Sequence, residues 1–133
     1  MTKMQKKQLI VNESMRYIDK ALETQKTKAK PVGDFYEDQK YVKAAGHYAY
    51  HGVLYALNQT GLLKLKKVQR PDVKDYRGIL AKENRKMLHN FNLCYETFHL
   101  SLGYDGIAYK KTLPAYIKCA EELIQWAANK AAA

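Results

Sequence analysis

Ala45, Ala49, Gly52 and Ala56 recur at spacings of four, three and four residues, and nothing else in this chain of 133 residues restricts its fold so tightly. On a helix of about 3.6 residues per turn these positions share one face, and side chains that small let a second helix approach closely. Tyr41, Tyr48 and Tyr55, seven residues apart, form a second stripe beside the first. A helix that is apolar over most of its circumference must pack on several sides, so this one is expected to be the central, most buried element.

The same period runs through the rest of the chain. Val11, Met15, Ile18 and Leu22 predict a first helix from about Lys6 to Lys28, with lysines 26, 28 and 30 at its negative end and Pro31 and Gly33 breaking it into a short turn. Asp34 and Glu37 have the spacing of a capping box, so the second helix is expected to start there and to end at Gly61. Residues 62–75, LLKLKKVQRPDVKD, read as a basic connection, because Pro71 disfavours helix at Arg70 while Asp72 can cap the next helix. Tyr76, Leu80, Met87, Phe91, Cys94, Phe98 and Leu102 then keep a helical period up to Gly103. They form either one long helix or a short one followed by a longer one, with Gly78 and Asn84 as weak points. Residues 103–106 read as a turn. Pro114 marks the first turn of a last helix from about Leu113 to Asn129, whose inner face carries Tyr116, Ala120, Leu123 and Ala127.

Only three prolines and seven glycines interrupt the chain, and period-two strands are hard to find in it. The fold class is all-α, an up-and-down bundle of four to five helices. A hydrophobic share of 47% in 133 residues supports a core without help from metal or disulfide, so residues 1–133 are read as a single domain. No apolar run approaches the roughly 18 to 20 residues of a membrane span, and the start MTKMQKKQLIVNESMR has no signal-peptide apolar core. A cytoplasmic protein with no membrane partner is expected. Cys94 and Cys119 fall in apolar helical patterns, where a free thiol behaves as a small hydrophobe.

The net charge of +10 is unevenly spread. Residues 1–30 carry +5, residues 31–61 carry −1, residues 62–90 carry +6, and the remainder is neutral. Basic charge is thus concentrated on the first helix and around the middle connection, where Lys64, Lys66, Lys67 and Arg70 cluster. Such a surface either meets phosphates or an acidic partner, or merely keeps the protein soluble.

Two groups of residues bear on chemistry. His47 and His51 are four apart on one helix, but no Glu follows His47 and no third ligand is identifiable, so neither a metal site nor a cofactor is expected and a hydrogen-bonded core or interface role is the reading for both. On the third long helix Arg85, His89, Asn92, Glu96 and His99 recur at four, three, four and three. They fall within an arc about 80° wide, nearly opposite Met87, Cys94 and Phe98. Leu88, Leu93, Tyr95 and Leu100 border this polar stripe, which therefore sits in a groove or against a second subunit, unless it is an ordinary solvated face. Arginine holds phosphoryl oxygens by two parallel hydrogen bonds and histidine moves protons near neutrality, a combination suited to phosphodiesters.

Two stretches carry a family resemblance: KYVKAAGHYAYHGVLYALNQTGLL, and LHNFNLCYETFHLSLGYDG followed by LPAYIKCAEELIQWA. Over roughly residues 36 to 128 the chain resembles small members of the HEPN superfamily, with their Tyr/Ala/His-rich helix, a GYYDG-type turn and a closing amphipathic helix. The resemblance implies a helical bundle, frequently a homodimer. It also implies either a metal-independent ribonuclease with an Arg-x4-6-His motif assembled across the dimer, or an inactive partner of a minimal nucleotidyltransferase. Here only three residues separate Arg85 from His89, and Lys86 replaces the polar residue that often follows the motif arginine. The leading expectation is a non-catalytic module that binds RNA or an acidic protein through Lys64, Lys66, Lys67, Arg70, Asn92, Glu96 and His99. A ribonuclease using Arg85 and His89, and a purely structural dimer, are the alternatives.

Overall fold

A computed structural model describes residues 1–133. Helix α1 (Lys3–Thr27) starts at a reciprocal capping box in which the Thr2 hydroxyl accepts from the Gln5 amide and the Gln5 side chain accepts from that of Thr2. A two-strand hairpin, β1 (Pro31–Val32) and β2 (Phe35–Tyr36), follows in antiparallel register, its turn made by Gly33 at φ 60°. Then come α2 (Gln39–Asn58), the single turn α3 (Leu62–Leu65), α4 (Val73–Glu83) and α5 (Arg85–Cys94). Helix α5 continues without a break into a π-helical segment, Tyr95–Tyr104, and α6 (Leu113–Ala132) closes the chain.

The all-α bundle is built as a ring. Helix α1 packs on α2 and α6, α2 packs on the π segment, and α5 packs on α6. Helix α2 also touches α6 across the middle, and α4 lies outside the ring against α5. Phe91, Phe98, Ile18, Leu57, Leu123 and Ile124 fill the interior. The small-residue stripe does what its size permits: Ala45, Ala49, Gly52 and Ala56 are all buried, and a Cβ on Gly52 would stand 2.8 Å from the Ser14 carbonyl oxygen of α1. The tyrosine stripe lies outside this contact, with Tyr41 and Tyr55 half-buried and Tyr48 exposed.

Boundaries differ from the sequence reading at both ends of the α2-to-α6 run, and at Asn84 the structure chooses between the two readings left open. Asp34 and Glu37 do not cap α2, because the hairpin takes up those residues and delays the helix. Asp38 is the cap instead, its carboxylate accepting from the Lys40 amide at 3.2 Å. Asp34 turns toward the start of α6, where its carbonyl accepts from the Lys110 amide at 3.0 Å and its carboxylate lies 3.6 Å from the Lys111 ammonium. The third helical region is a short helix followed by a longer one. Asn84 is extended, closes α4, and caps α5 by accepting from the Met87 amide at 3.1 Å. Finally, helix persists through Gly103 and Tyr104, so the turn falls at Gly106, φ 71°.

Tyr76 fixes α4 in place. It is buried, stacks on Phe91 of α5 at 5.9 Å between ring centres, and donates to the Asn58 side chain at the end of α2 at 2.8 Å. No helix is long and apolar enough to cross a membrane.

Candidate functional site

The basic connection is a surface feature. Lys64, Lys66, Lys67 and Arg70 are all exposed, and Lys67 adopts the left-handed conformation (φ 57°) as the chain leaves α3. The acids nearest in sequence do not neutralise them. The Asp72 carboxylate accepts from the Asp75 amide at 3.2 Å and that of Asp75 accepts from the Asp72 amide at 2.9 Å, so both are committed to the start of α4. Across the chain only three ion pairs form, Arg16 with Glu13, Lys111 with Asp34 and Lys130 with Glu83, against 23 lysines and arginines.

The polar stripe of the third helical region divides in two. Arg85, His89 and Glu96 are exposed, whereas Asn92 and His99 are half-buried and engaged by residues from other helices. Arg77 of α4 donates through Nε to the Asn92 side-chain oxygen at 2.8 Å, and its guanidinium carbon stands 5.0 Å from the centre of the Tyr95 ring. His99 packs on Tyr95 at 5.3 Å and on Tyr50 of α2 at 4.8 Å, and the two tyrosines are themselves 6.0 Å apart. An arginine, an amide and three rings thus converge from α4, α5, the π segment and α2.

The electrostatics of this cluster favour neutral rings. Burial, and then the nearby His47, lower the pKa of His99 from its usual value. Its Nδ1 is out of contact with solvent and has no hydrogen-bond partner in the protein. Burial also raises the Tyr50 hydroxyl far above its ordinary range, with Tyr95 and Tyr76 adding to the effect and Arg77 opposing it. The Arg77 guanidinium is the positive charge that Tyr50 meets in this cluster.

Arg77, Tyr50 and Tyr95 are the members that sequence reasoning missed as site residues. Arg77 is fifteen residues from Asn92 and Tyr50 belongs to a different helix, so no spacing rule joins them. Conversely, His47 and His51 are not core histidines. Both are exposed, His51 lies 5.5 Å from the Tyr17 ring, and no third metal-binding side chain gathers with them. Cys94 and Cys119 are free thiols, the first buried and the second half-buried.

Fold and site together define a small all-α bundle with a half-buried Arg/Tyr/His cluster beside a basic connection. The chain belongs to the family described as a domain of unknown function, DUF5618, whose model matches residues 10–129. It is similar to a solved protein of unknown function from Dyadobacter fermentans, at 37% identity and a TM-score of 0.84, over 91% of this chain and 95% of that one. No curated protein matches it.

Proposed function

We propose that this protein is a HEPN-like helical bundle acting as a non-catalytic RNA-binding module, in the cytoplasm and as a homodimer. The observation that carries this reading is the excess of cations without carboxylate partners, concentrated at Lys64, Lys66, Lys67 and Arg70, where the neighbouring acids are occupied in capping α4. Unpaired lysines keep counterions around them and a polyanion releases these on binding, which makes nucleic acid the favoured partner. A strongly acidic protein, including a nucleotidyltransferase partner, would exploit the same charge.

Arg85 and His89 are exposed at the start of α5 and make no side-chain hydrogen bond or ion pair with the protein. The three-residue gap between Arg85 and His89, shorter than the Arg-x4-6-His spacing, argues for binding over cleavage. The half-buried Leu93 and the exposed Leu100 along the stripe are the surface assigned to a two-fold dimer.

The test is RNA affinity as a function of salt for the wild type and for the fourfold alanine variant at positions 64, 66, 67 and 70. For a single strand each lost phosphate contact reduces the slope of log K against log salt by about 0.7, so a reduction approaching three units is expected. An unchanged slope would remove the connection from the binding surface. Chelator-resistant cleavage lost in both Arg85→Ala and His89→Ala would instead establish the ribonuclease alternative, and a monomer in light scattering would eliminate the dimer.

A further inference from the structure

We infer that Arg77, Tyr50, Tyr95 and His99 form a contact surface for one nucleotide of single-stranded RNA, with its phosphate on the guanidinium and its base against the rings. This rests on the RNA-binding reading above and assigns that reading a specific contact.

The state of Arg77 is the first ground. Its Nε is bonded to Asn92 and its guanidinium carbon stands 5.0 Å from the centre of the Tyr95 ring, yet neither terminal nitrogen forms a hydrogen bond or ion pair within the protein. Most surface arginines sample many rotamers. This one is tied at Nε and sits beside the Tyr95 ring while its terminal nitrogens have no protein partner, as needed to grip an oxyanion by two parallel bonds with little further loss of freedom.

The second ground is what lies beside it. The rings of Tyr50, Tyr95 and His99 pack mutually within 6.0 Å, and each of the three residues is half-buried rather than buried, next to the charge. Nucleobases stack on such rings irrespective of sequence. Burial favours the neutral form of His99, so the histidine serves this surface as a ring rather than as a second cation.

The third ground is continuity. Helix α4 begins at Asp72, immediately beyond the basic connection, and Arg77 follows five residues later, about 7.5 Å along the axis. A strand whose backbone lies on Lys64 to Arg70 can therefore extend to Arg77. Duplex RNA keeps its bases stacked inside and cannot lay one against these rings, so the ring contact selects single strands.

The experiment measures anisotropy of end-labelled hexauridylate and of a blunt RNA duplex, with the full chain, at two salt concentrations. Arg77→Gln is expected to weaken hexauridylate binding about tenfold or more, and Arg77→Lys to recover little, because lysine restores the charge without the fork. His99→Leu is expected to cost about fivefold or more with an unchanged salt slope, since stacking releases no counterions. Duplex affinity should stay as in the wild type for His99→Leu. In the wild type itself, photocrosslinking of a 4-thiouridine hexamer should map to peptides holding Tyr50 or Tyr95, a readout independent of how the variants fold. Normal hexauridylate binding by Arg77→Gln and His99→Leu, an equal loss of duplex affinity in His99→Leu, or crosslinks confined to other peptides would each overturn this contact surface while leaving the basic connection as an RNA site. Absence of any salt-dependent RNA binding by the wild type would overturn both.

Discussion

Gly46 of α2 and Gly103 of the π segment meet so closely that a Cβ on Gly46 would fall 2.5 Å from the Gly103 amide nitrogen and 2.5 Å from the Phe98 carbonyl oxygen. Gly103 has no room for a side chain either, since its own Cβ would stand 2.9 Å from that carbonyl and 3.2 Å from the His47 ring. Two backbones are in contact there, and the wide π turn carries the chain past α2 at that distance. Gly46→Ala is expected to lower stability by about 2 kcal/mol or more, because overpacking against rigid backbone outweighs the gain of about 1 kcal/mol in helix propensity. Gly78→Ala is the matched control. Gly78 lies within α4, and a methyl group there would meet nothing within 4 Å, so alanine should add about 0.5 to 1 kcal/mol. Urea denaturation of both variants checks the pair, and opposite signs are required.

Gln25 is 3% exposed on α1, and neither its amide nitrogen nor its amide oxygen has a protein partner. A buried amide without partners costs roughly 1 to 3 kcal/mol, which an apolar replacement of similar shape avoids. Gln25→Leu should therefore match or exceed the wild type in thermal denaturation. A clear fall in melting temperature would mean that the amide is hydrogen-bonded, most simply to trapped water.

Burial pushes the Cys94 thiol well above its ordinary range, with Cys119 adding to the effect. Cys119 is raised as well, by burial first and Glu122 second, while Lys118 opposes the shift. Because the thiolate is the reactive form, native protein should react slowly with iodoacetamide near pH 8, Cys119 ahead of Cys94, and both should react fast in denaturant. Rapid native labelling at Cys94 would contradict the packing of α5.

His99 links stability to acid. Its folded pKa lies below the usual 6.5, so the unfolded chain binds its proton more readily. The stability contributed by the neutral ring is complete above pH 6.5 and is lost as the pH falls from there through the lower folded value. The neighbouring groups are His47 and Tyr50 on α2, Tyr95 on the same helical run and Arg77 on α4. Denaturant midpoints at pH 7.5, 6.0 and 5.0 should decline less steeply for His99→Phe than for the wild type, and parallel declines would assign the acid sensitivity to other groups.

Helix content and most inner faces were legible because helical period is a local property of the chain, although α1 turns Ile10, Ser14 and Ala21 inward with Ile18 and leaves Leu22 exposed. Ala45 to Ala56 on α2, the Met87, Cys94 and Phe98 face of α5 and its continuation, and the Asp72 cap of α4 are all where residue spacing puts them. The exposed basic connection was legible for the same reason, since Pro71 and four cations within seven residues leave little that could be buried. Tertiary packing decided everything that depends on two faces meeting. Asp34 was drawn from a capping role to the start of α6, Gly46 was pressed onto Gly103, and Arg77 was brought to Asn92, Tyr95 and, beyond them, to His99 and Tyr50. Those contacts join segments whose spacing along the chain carries no period, so they follow only from how whole helices settle against one another to bury Phe91 and Phe98.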